Sequence, residues 1–320
     1  MSTPIDPRIL NLSYSSLLTL HNCPREFQLY KLQAPIEIDE ELLGQSITFA
    51  YGTVVGNGVQ NSLQNASPSQ IIFNAFLDWS PDLFAENTKQ NKSFFKAVHA
   101  INQFSSIRNS SFLRDWELVT YNGKPACELS FVIEFPDGFK YRGFVDAVLR
   151  HSVTGEVLVL EVKTTASPNI NPTQYKNSAQ AIGYSIVLDA IFPELSSYKV
   201  LYCAYSTTSE EYNLIPFDKS YYQRALWIRE LLLDIETIKL YEEASVYPMH
   251  GESCFRFFRE CNYFNTCTLS TERITSPLTP EIESKLQSEL SEYQIKITLA
   301  DLISAQISKD SAPVPDSDIL

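Results

Sequence analysis

The stretch GEVLVLEVKTT, residues 155–165, constrains the fold more than any other, because it is apolar almost to its end. A run of this kind is typical of a buried β-strand. Glu161 and Lys163 lie two residues apart where the run ends. Because successive side chains on a strand point to opposite faces, these two emerge side by side. They form either a structural ion pair at the edge of a sheet or half of an active site.

Length and composition indicate a globular protein with a sizeable core. The chain has 320 residues, of which 44% are hydrophobic and 12% aromatic, and this suits one large domain or one domain with appended helices. The sequence contains no run of about 18 apolar residues, so no membrane span is predicted. The first residues lack the pattern of a signal peptide. We therefore expect a cytoplasmic protein. The net charge of −13 argues against non-specific coating of nucleic acid but permits a local basic groove.

The order of the predicted elements favours an α/β fold. Alternation and turn signals predict strands at 126–135, 139–150, 156–163, 198–206 and 210–217. Helical patterns predict helices within 12–33, 40–65, 69–118, 173–191, 219–243 and 280–307. The first three strands follow one another through short turns, so we expect them to form a meander.

Two carboxylates are brought together by this meander. Asp146 lies near the end of the second strand and Glu161 near the end of the third, and antiparallel neighbours place such ends opposite each other. With the Val162 carbonyl and water, the two carboxylates form an oxygen-rich site suited to Mg²⁺ or Mn²⁺. Such an ion activates water and neutralises charge on a phosphodiester. Lys163 beside it would hold the water or stabilise the developing oxyanion.

Three motifs together resemble the PD-(D/E)XK nuclease superfamily, specifically its RecB-like branch. They are YRGFVDAVL, then EVK, then QAIGY on a predicted helix. The resemblance implies that Asp146 and Glu161 are metal ligands, that Lys163 is the catalytic lysine, and that Gln180 and Tyr184 position the site and the DNA. The i, i+4 spacing of Gln180 and Tyr184 predicts a common helix face.

Two weaker features accompany these motifs. Glu128 matches an acidic residue that these nucleases often carry on the first strand, although a solvated strand face also explains it. The N-terminal LSYSSLLTLHNCPREFQLYKL resembles the S-x-S-x-L…C-P-R-x-F opening of the same nucleases.

One position departs from the pattern. Many RecB-like nucleases have a histidine in a G-x-x-x-H helix before the sheet, where it is a third metal ligand. Here Gly52 is followed by Gly56 at the place of that histidine. The resemblance then leaves the metal either with two protein carboxylates and more water or with a further ligand that no motif identifies. The histidines of the chain, which we interpret as surface or structural residues, are His21, His99, His151 and His250.

The cysteines suggest a second metal site. Cys254, Cys261 and Cys267 fall within fourteen residues, and Cys23 is the natural fourth ligand. A chain without a secretion signal is not expected to use them as a disulfide framework. Four thiolates hold either Zn²⁺ or a [4Fe–4S] cluster; incidental reduced thiols are the remaining alternative.

One cysteine upstream and three downstream resemble the iron-staple nucleases, such as the AddB nuclease domain and the CRISPR-adaptation exonucleases. The resemblance implies a [4Fe–4S] cluster that ties the two chain ends around the nuclease core. The spacing departs from their usual C-x-x-C-x-x-x-x-x-C, because six residues separate Cys254 from Cys261. Either metal would close a long loop and so remove entropy from the unfolded chain.

These observations predict a RecB-like nuclease domain over residues 1–274, followed by a helical extension. Within it we expect a helical part at 1–120, a catalytic sheet with helices at 121–243 and a cysteine cluster at 254–267. The extension covers 275–308, and the acidic tail 309–320 is expected to be disordered. The fold expected for the domain is a restriction-endonuclease-like core, a mixed sheet flanked by helices, with its terminal helical parts joined by a metal staple.

The predicted function is metal-dependent DNA exonuclease activity in phage or prophage recombination or repair, in a bacterial or phage-infected cytoplasm. Linear DNA ends are the predicted substrate, and a single-strand annealing or single-strand DNA-binding protein is a further candidate partner. The alternatives are a nuclease-fold protein that binds DNA or a recombinase without cutting, an endonuclease or CRISPR-adaptation nuclease of the same fold, and a zinc-stapled binding module.

Overall fold

A computed structural model describes residues 5–34, 43–79, 91–110, 112–256, 259–269 and 275–311. The chain divides into two compact units. The first unit consists of residues 1–38, 130–143 and 221–320, and the second of residues 39–129 and 144–220. The part of the tail beyond residue 311 lies outside the described residues.

Runs of helices and runs of strands follow one another along the chain. The helices are α1 Pro7–Leu10, α2 Tyr14–Asn22, α3 Pro24–Lys31, α4 Leu43–Leu63, α5 Pro68–Asp78, α6 Phe94–Arg108, α7 Thr173–Lys176, α8 Ala179–Gly183, α9 Ser185–Ile191, α10 Tyr221–Ala244, α11 Pro280–Ser291 and α12 Leu299–Asp310. The strands are β1 Asn11–Ser13, β2 Trp116–Leu118, β3 Thr120–Tyr121, β4 Lys124–Pro125, β5 Cys127–Glu134, β6 Lys140–His151, β7 Val157–Thr165, β8 Ser197–Ser206, β9 Glu211–Ser220, β10 Phe255–Arg256, β11 Arg259–Glu260 and β12 Ile295–Thr298.

The second unit is built on a mixed sheet in which β7 is an interior strand. β6 pairs with β7 in antiparallel fashion, β7 with β8 in parallel, and β8 with β9 in antiparallel fashion. β2 pairs with the last residues of β6. The neighbouring strands pair the backbone of β7 on both edges, and its side chains project from the two faces of the sheet. Val157–Leu160 are apolar and buried, as expected for a strand with both faces covered.

Helices α4 and α6 cover one face of this sheet. Val59 and Leu63 of α4 and Phe104 of α6 belong to one buried cluster with apolar residues of β6, β7 and β8. On β7 the members of this cluster are Leu158 and Leu160. The alternation of the strand therefore turns residue 161 away from this cluster, and Tyr184, which lies between α8 and α9, bonds to it.

The first unit joins the N-terminal helices to the C-terminal part of the chain. β1 pairs with Lys140–Arg142 of β6, and β12 pairs with Phe131–Glu134 of β5, both in parallel. Arg25 at the start of α3 donates hydrogen bonds to the carbonyls of Cys267 and Leu269, at 3.1 and 3.0 Å. These bonds hold the cysteine-rich segment against the helix that follows Cys23.

The α/β class, with a mixed central sheet flanked by helices, is confirmed. Three predicted helical stretches differ in detail. The stretch at 69–118 contains α5 and α6 but ends in a strand, β2. The single helix expected at 173–191 is divided into α7, α8 and α9, with Tyr184 between the last two. The helical pattern at 280–307 contains a strand, β12, because the backbone of β5 accepts it as a neighbour. α12 extends to Asp310, two residues into the predicted tail.

Candidate active site

Asp146 and Glu161 lie at the end of a strand pair. In the ladder between β6 and β7, Ala147 lies opposite Leu160, so the next residues along are Asp146 and Glu161. The ladder stops there. Instead, the Val162 N–H donates a hydrogen bond to Asp146 Oδ2 at 2.7 Å. The predicted juxtaposition of the two carboxylates across the hairpin therefore matches the register of the strands.

Lys163 lies beside Glu161, on the same face of β7. Its Nζ donates to Glu161 Oε1 at 2.5 Å and to Gln180 Oε1 at 3.0 Å. The Glu161 side chain is only 2% exposed, whereas that of Lys163 is 35% exposed. The lysine thus spans from a buried carboxylate to the solvent, and Gln180 holds its ammonium group from a second direction.

Tyr184 completes the buried surroundings of Glu161. Its hydroxyl donates to Glu161 Oε2, and the tyrosine side chain is itself buried. Burial and the negative charge of Glu161 raise the pKa of Tyr184 well above its ordinary value, so the hydroxyl keeps its proton and acts as a donor. Gln180 and Tyr184 therefore reach one site, as their spacing predicted, although a helix break separates them.

Glu128 belongs to the same group of acidic residues. It lies on β5 with a positive φ of 47°, a conformation that non-glycine residues adopt rarely and that is often found at functional sites. Gln60 of α4 donates its Nε2–H to Glu128 Oε1 at 2.6 Å. Burial raises the pKa of Glu128, and the charge of Glu161 raises it further, although the bond from Gln60 opposes the shift.

A cavity of about 420 Å³ opens onto these residues. Glu128, Asp146, Val162 and Lys163 line it together with residues of α4 at helical spacing. The residues from α4 are Thr48, Phe49, Gly52, Thr53, Gly56, Asn57 and Gln60.

Gly56, at the place of the family histidine, faces open space. A Cβ atom built on it would meet no atom within 4 Å. Its lack of a side chain therefore widens the cavity rather than permitting close packing.

The site concentrates negative charge. Burial raises the pKa of Asp146 well above its ordinary value, and the charge of Glu161 raises it further, whereas the Val162 N–H and Lys163 oppose the shift. Carboxylates that are close together and partly buried repel one another unless a cation lies between them. The donor set of this site, with carboxylate oxygens and the backbone at Val162, fits a hard divalent cation.

The predicted cysteines also converge. Cys23, Cys254, Cys261 and Cys267 all line one small cavity of about 40 Å³ in the first unit. The Cys261 N–H donates to the Cys254 carbonyl at 2.8 Å. Burial, together with the neighbouring Glu26, Cys23 and Cys254, raises the pKa of Cys261 to about 11, although a hydrogen bond from the backbone of Tyr263 opposes the shift. Cys127 and Cys203 lie apart from this group, next to or within the core of the sheet.

Neither group is a finished metal site as its side chains stand. In the ranges that the structure describes, no three His, Cys, Asp or Glu side chains are arranged to hold a metal ion directly. The fit of each group to a metal therefore rests on the chemistry of its donors and on the cavity beside it.

Sequence reasoning missed two residues that bear on these sites. Gln60 contacts Glu128, which lies 68 residues further along the chain. The pattern that could have identified it is its i+4 spacing from Gly56, which itself follows Gly52 by four residues on one helix face. Arg25 links α3 to the cysteine segment. Its signal was its place directly after Cys23 and Pro24 in the N-terminal motif.

Comparison with known proteins identifies the class. A family model described as the PD-(D/E)XK nuclease superfamily matches residues 11–268. The chain therefore belongs to the PD-(D/E)XK nuclease superfamily, and its reaction class is the hydrolysis of nucleic acid. Nucleases of this superfamily generally use divalent metals such as Mg²⁺ or Mn²⁺.

A solved structure of a candidate exonuclease from Eubacterium rectale is similar, with a TM-score of 0.48 and 11% sequence identity. The similarity covers 85% of this chain and 91% of that one. A search of curated proteins finds no match. Among the helices of the described ranges, none has the length and apolarity needed to cross a membrane.

Proposed function

We propose that the chain is a Mg²⁺- or Mn²⁺-dependent DNA exonuclease of the RecB-like branch, which resects DNA ends for recombination or repair. One observation carries the proposal: Asp146 and Lys163 line a cavity large enough for a ligand, and Glu161, which follows the last residue of β7 paired with β6, bonds to Lys163 there. The exonuclease activity and the RecB-like branch follow from the resemblance of the QAIGY and N-terminal motifs.

The proposed metal ligands are Asp146, Glu161 and the Val162 carbonyl, with Glu128 as a further acidic residue at the cavity. A Mg²⁺ or Mn²⁺ ion supplies a Lewis acid that activates water and offsets the charge of the phosphodiester. Without it, buried carboxylates would repel both each other and the phosphate. The raised pKa of Asp146 supports this assignment, because a neighbouring cation would offset the burial and the repulsion from Glu161 that raise it.

Lys163 is the proposed catalytic residue. Its ammonium group reaches the cavity while Glu161 and Gln180 fix its position. A positive charge held in advance at this point stabilises the additional negative charge on the phosphate in the transition state. Tyr184 and Gln180 are positioning residues in this scheme, because they act on Glu161 and Lys163.

The test is the digestion of four labelled DNA substrates: linear and circular, each single- or double-stranded, with Mg²⁺, Mn²⁺ or EDTA. We expect linear DNA to be shortened progressively from its ends in either metal and to stay intact in EDTA. Cleavage of covalently closed circles at the same rate would contradict the exonuclease assignment. Failure to cut any substrate with either metal would contradict nuclease activity.

We also propose that Cys23, Cys254, Cys261 and Cys267 hold a [4Fe–4S] cluster, with Zn²⁺ as the alternative metal. Their shared cavity supports the proposal, as does the chemistry of four thiols, which suits both metals. Protein purified without oxygen should be brown and should contain iron and sulfide. A colourless protein with one equivalent of zinc would contradict the cluster and leave the zinc staple.

A further inference from the structure

An aromatic side chain stands exposed at the catalytic cavity. Phe49 lies on α4 and lines the cavity together with Asp146 and Lys163, yet it is 73% exposed. A phenylalanine with so much surface in water adds little to the stability of the fold. Phe144 is half exposed two residues before Asp146 on β6, so strand alternation places it on the same face as the carboxylate.

The rest of the cavity face of α4 is small or polar. Gly52 and Gly56 succeed Phe49 at intervals of about one turn, followed by Gln60. A Cβ atom at Gly52 would touch only Thr164 Oγ1, at 3.6 Å, and one at Gly56 would meet nothing within 4 Å. Two glycines inside a helix reduce its stability by about 1 kcal/mol each relative to alanine, and neither is needed here for packing. The two glycines keep the cavity open next to Phe49.

The charges at the cavity favour contact with bases over contact with several phosphates. Lys163 is the one cation among the described residues that line it, beside the acidic Glu128 and Asp146. A site that grips a duplex through its backbone needs several cations. Stacking on an aromatic ring needs only the face of a base, and that face is accessible on an unpaired base but covered inside a duplex.

We propose that Phe49 is a stacking residue that receives an unpaired base beside the scissile phosphate, so that the site takes a single-stranded end. The inference rests on the proposed nuclease function and adds its substrate class. Phe49 touches the base and not the reacting atoms, so it contributes to binding. Because stacking does not distinguish among bases, the preference is for strandedness and not for sequence.

The test compares binding and cleavage in Phe49→Ala, Phe49→Trp and Phe95→Ala. Phe95 is a matched control, because it is 77% exposed in the same unit and does not line the cavity. Binding of a labelled oligothymidine and of a blunt duplex is measured by fluorescence anisotropy with Ca²⁺ replacing Mg²⁺. Cleavage of both is then measured with Mg²⁺, and thermal melting reports the fold.

We expect Phe49→Ala to weaken binding of the single strand about 5- to 150-fold. The Kd values of Phe49→Trp and Phe95→Ala should stay within about twofold of the parent value, and all variants should have the same Tm as the parent. Equal binding by Phe49→Ala and Phe95→Ala would overturn the inference, as would an equal loss on the blunt duplex. If the parent binds the single strand through Phe49 but cuts nothing, the stacking role stands and the proposed nuclease function fails.

Discussion

The hydroxyl of Tyr184 offers a sensitive probe of how Glu161 is held. Both side chains are buried, and the hydroxyl donates to Glu161 Oε2. In Tyr184→Phe this oxygen loses its donor and gains no access to water. A hydrogen bond to a charged group contributes about 1.5–3 kcal/mol. For a chain of this length that corresponds to a fall in Tm of about 2–4 °C.

The same change should impair cleavage, because Glu161 loses one of the two groups that orient it. Mutation of a residue that orients a metal ligand typically lowers metal affinity or activity by about 10- to 100-fold. Tyr212→Phe is the matched control. It removes a hydroxyl from the same unit for which the described residues offer no hydrogen-bond partner. Its Tm and cleavage rate should therefore stay close to those of the parent.

The assay is thermal unfolding in EDTA, followed by cleavage of labelled DNA over a range of Mg²⁺ concentrations. We expect Tyr184→Phe to melt below Tyr212→Phe and to need more Mg²⁺ for half-maximal rate. Equal Tm values and equal Mg²⁺ dependence in the two variants would refute the view that Tyr184 orients Glu161.

Two further predictions concern the cavity and its metal. Gly56→Ala should stabilise the protein by about 0.5–1 kcal/mol, since its Cβ meets open space. Gly58→Ala should destabilise it by about 1–3 kcal/mol, since its Cβ would lie 2.4 Å from two atoms of the buried Ile101; urea unfolding that shows the same sign for both would contradict the packing of α4. Mg²⁺ at 100 times its Kd should stabilise the parent by about 2.7 kcal/mol. In Asp146→Asn this gain should disappear while the Tm in EDTA is kept, and an undiminished gain would exclude Asp146 as a ligand.

The core of the candidate site could be predicted because it depends on short-range rules. Strand alternation places Glu161 and Lys163 on one face, and a tight hairpin sets Asp146 opposite Glu161. Each rule involves residues close together in the chain, so the local sequence is enough to predict their relative positions.

The remainder depends on tertiary contacts that no local pattern encodes. The bond between Gln60 and Glu128 needs α4 packed beside β5 and a positive φ at Glu128. The break at Tyr184 was missed because the residues around it keep a continuous helical pattern in sequence. The strand β12 lies in a stretch with helical periodicity on both sides, and pairing with β5 overrides that local preference.

The central claim is that Lys163 acts on the phosphate at a metal site formed by Asp146 and Glu161. The most direct test is the rate of cleavage of linear DNA under saturating Mg²⁺ by the parent, Lys163→Met and Lys199→Met. Lys199 pairs with Glu156, the residue directly before the neighbouring strand β7, and controls for loss of a lysine from the same unit. We predict that Lys163→Met lowers the rate at least about 100-fold, while Lys199→Met and the parent agree within twofold. A Lys163→Met variant that cuts as fast as Lys199→Met would contradict the account.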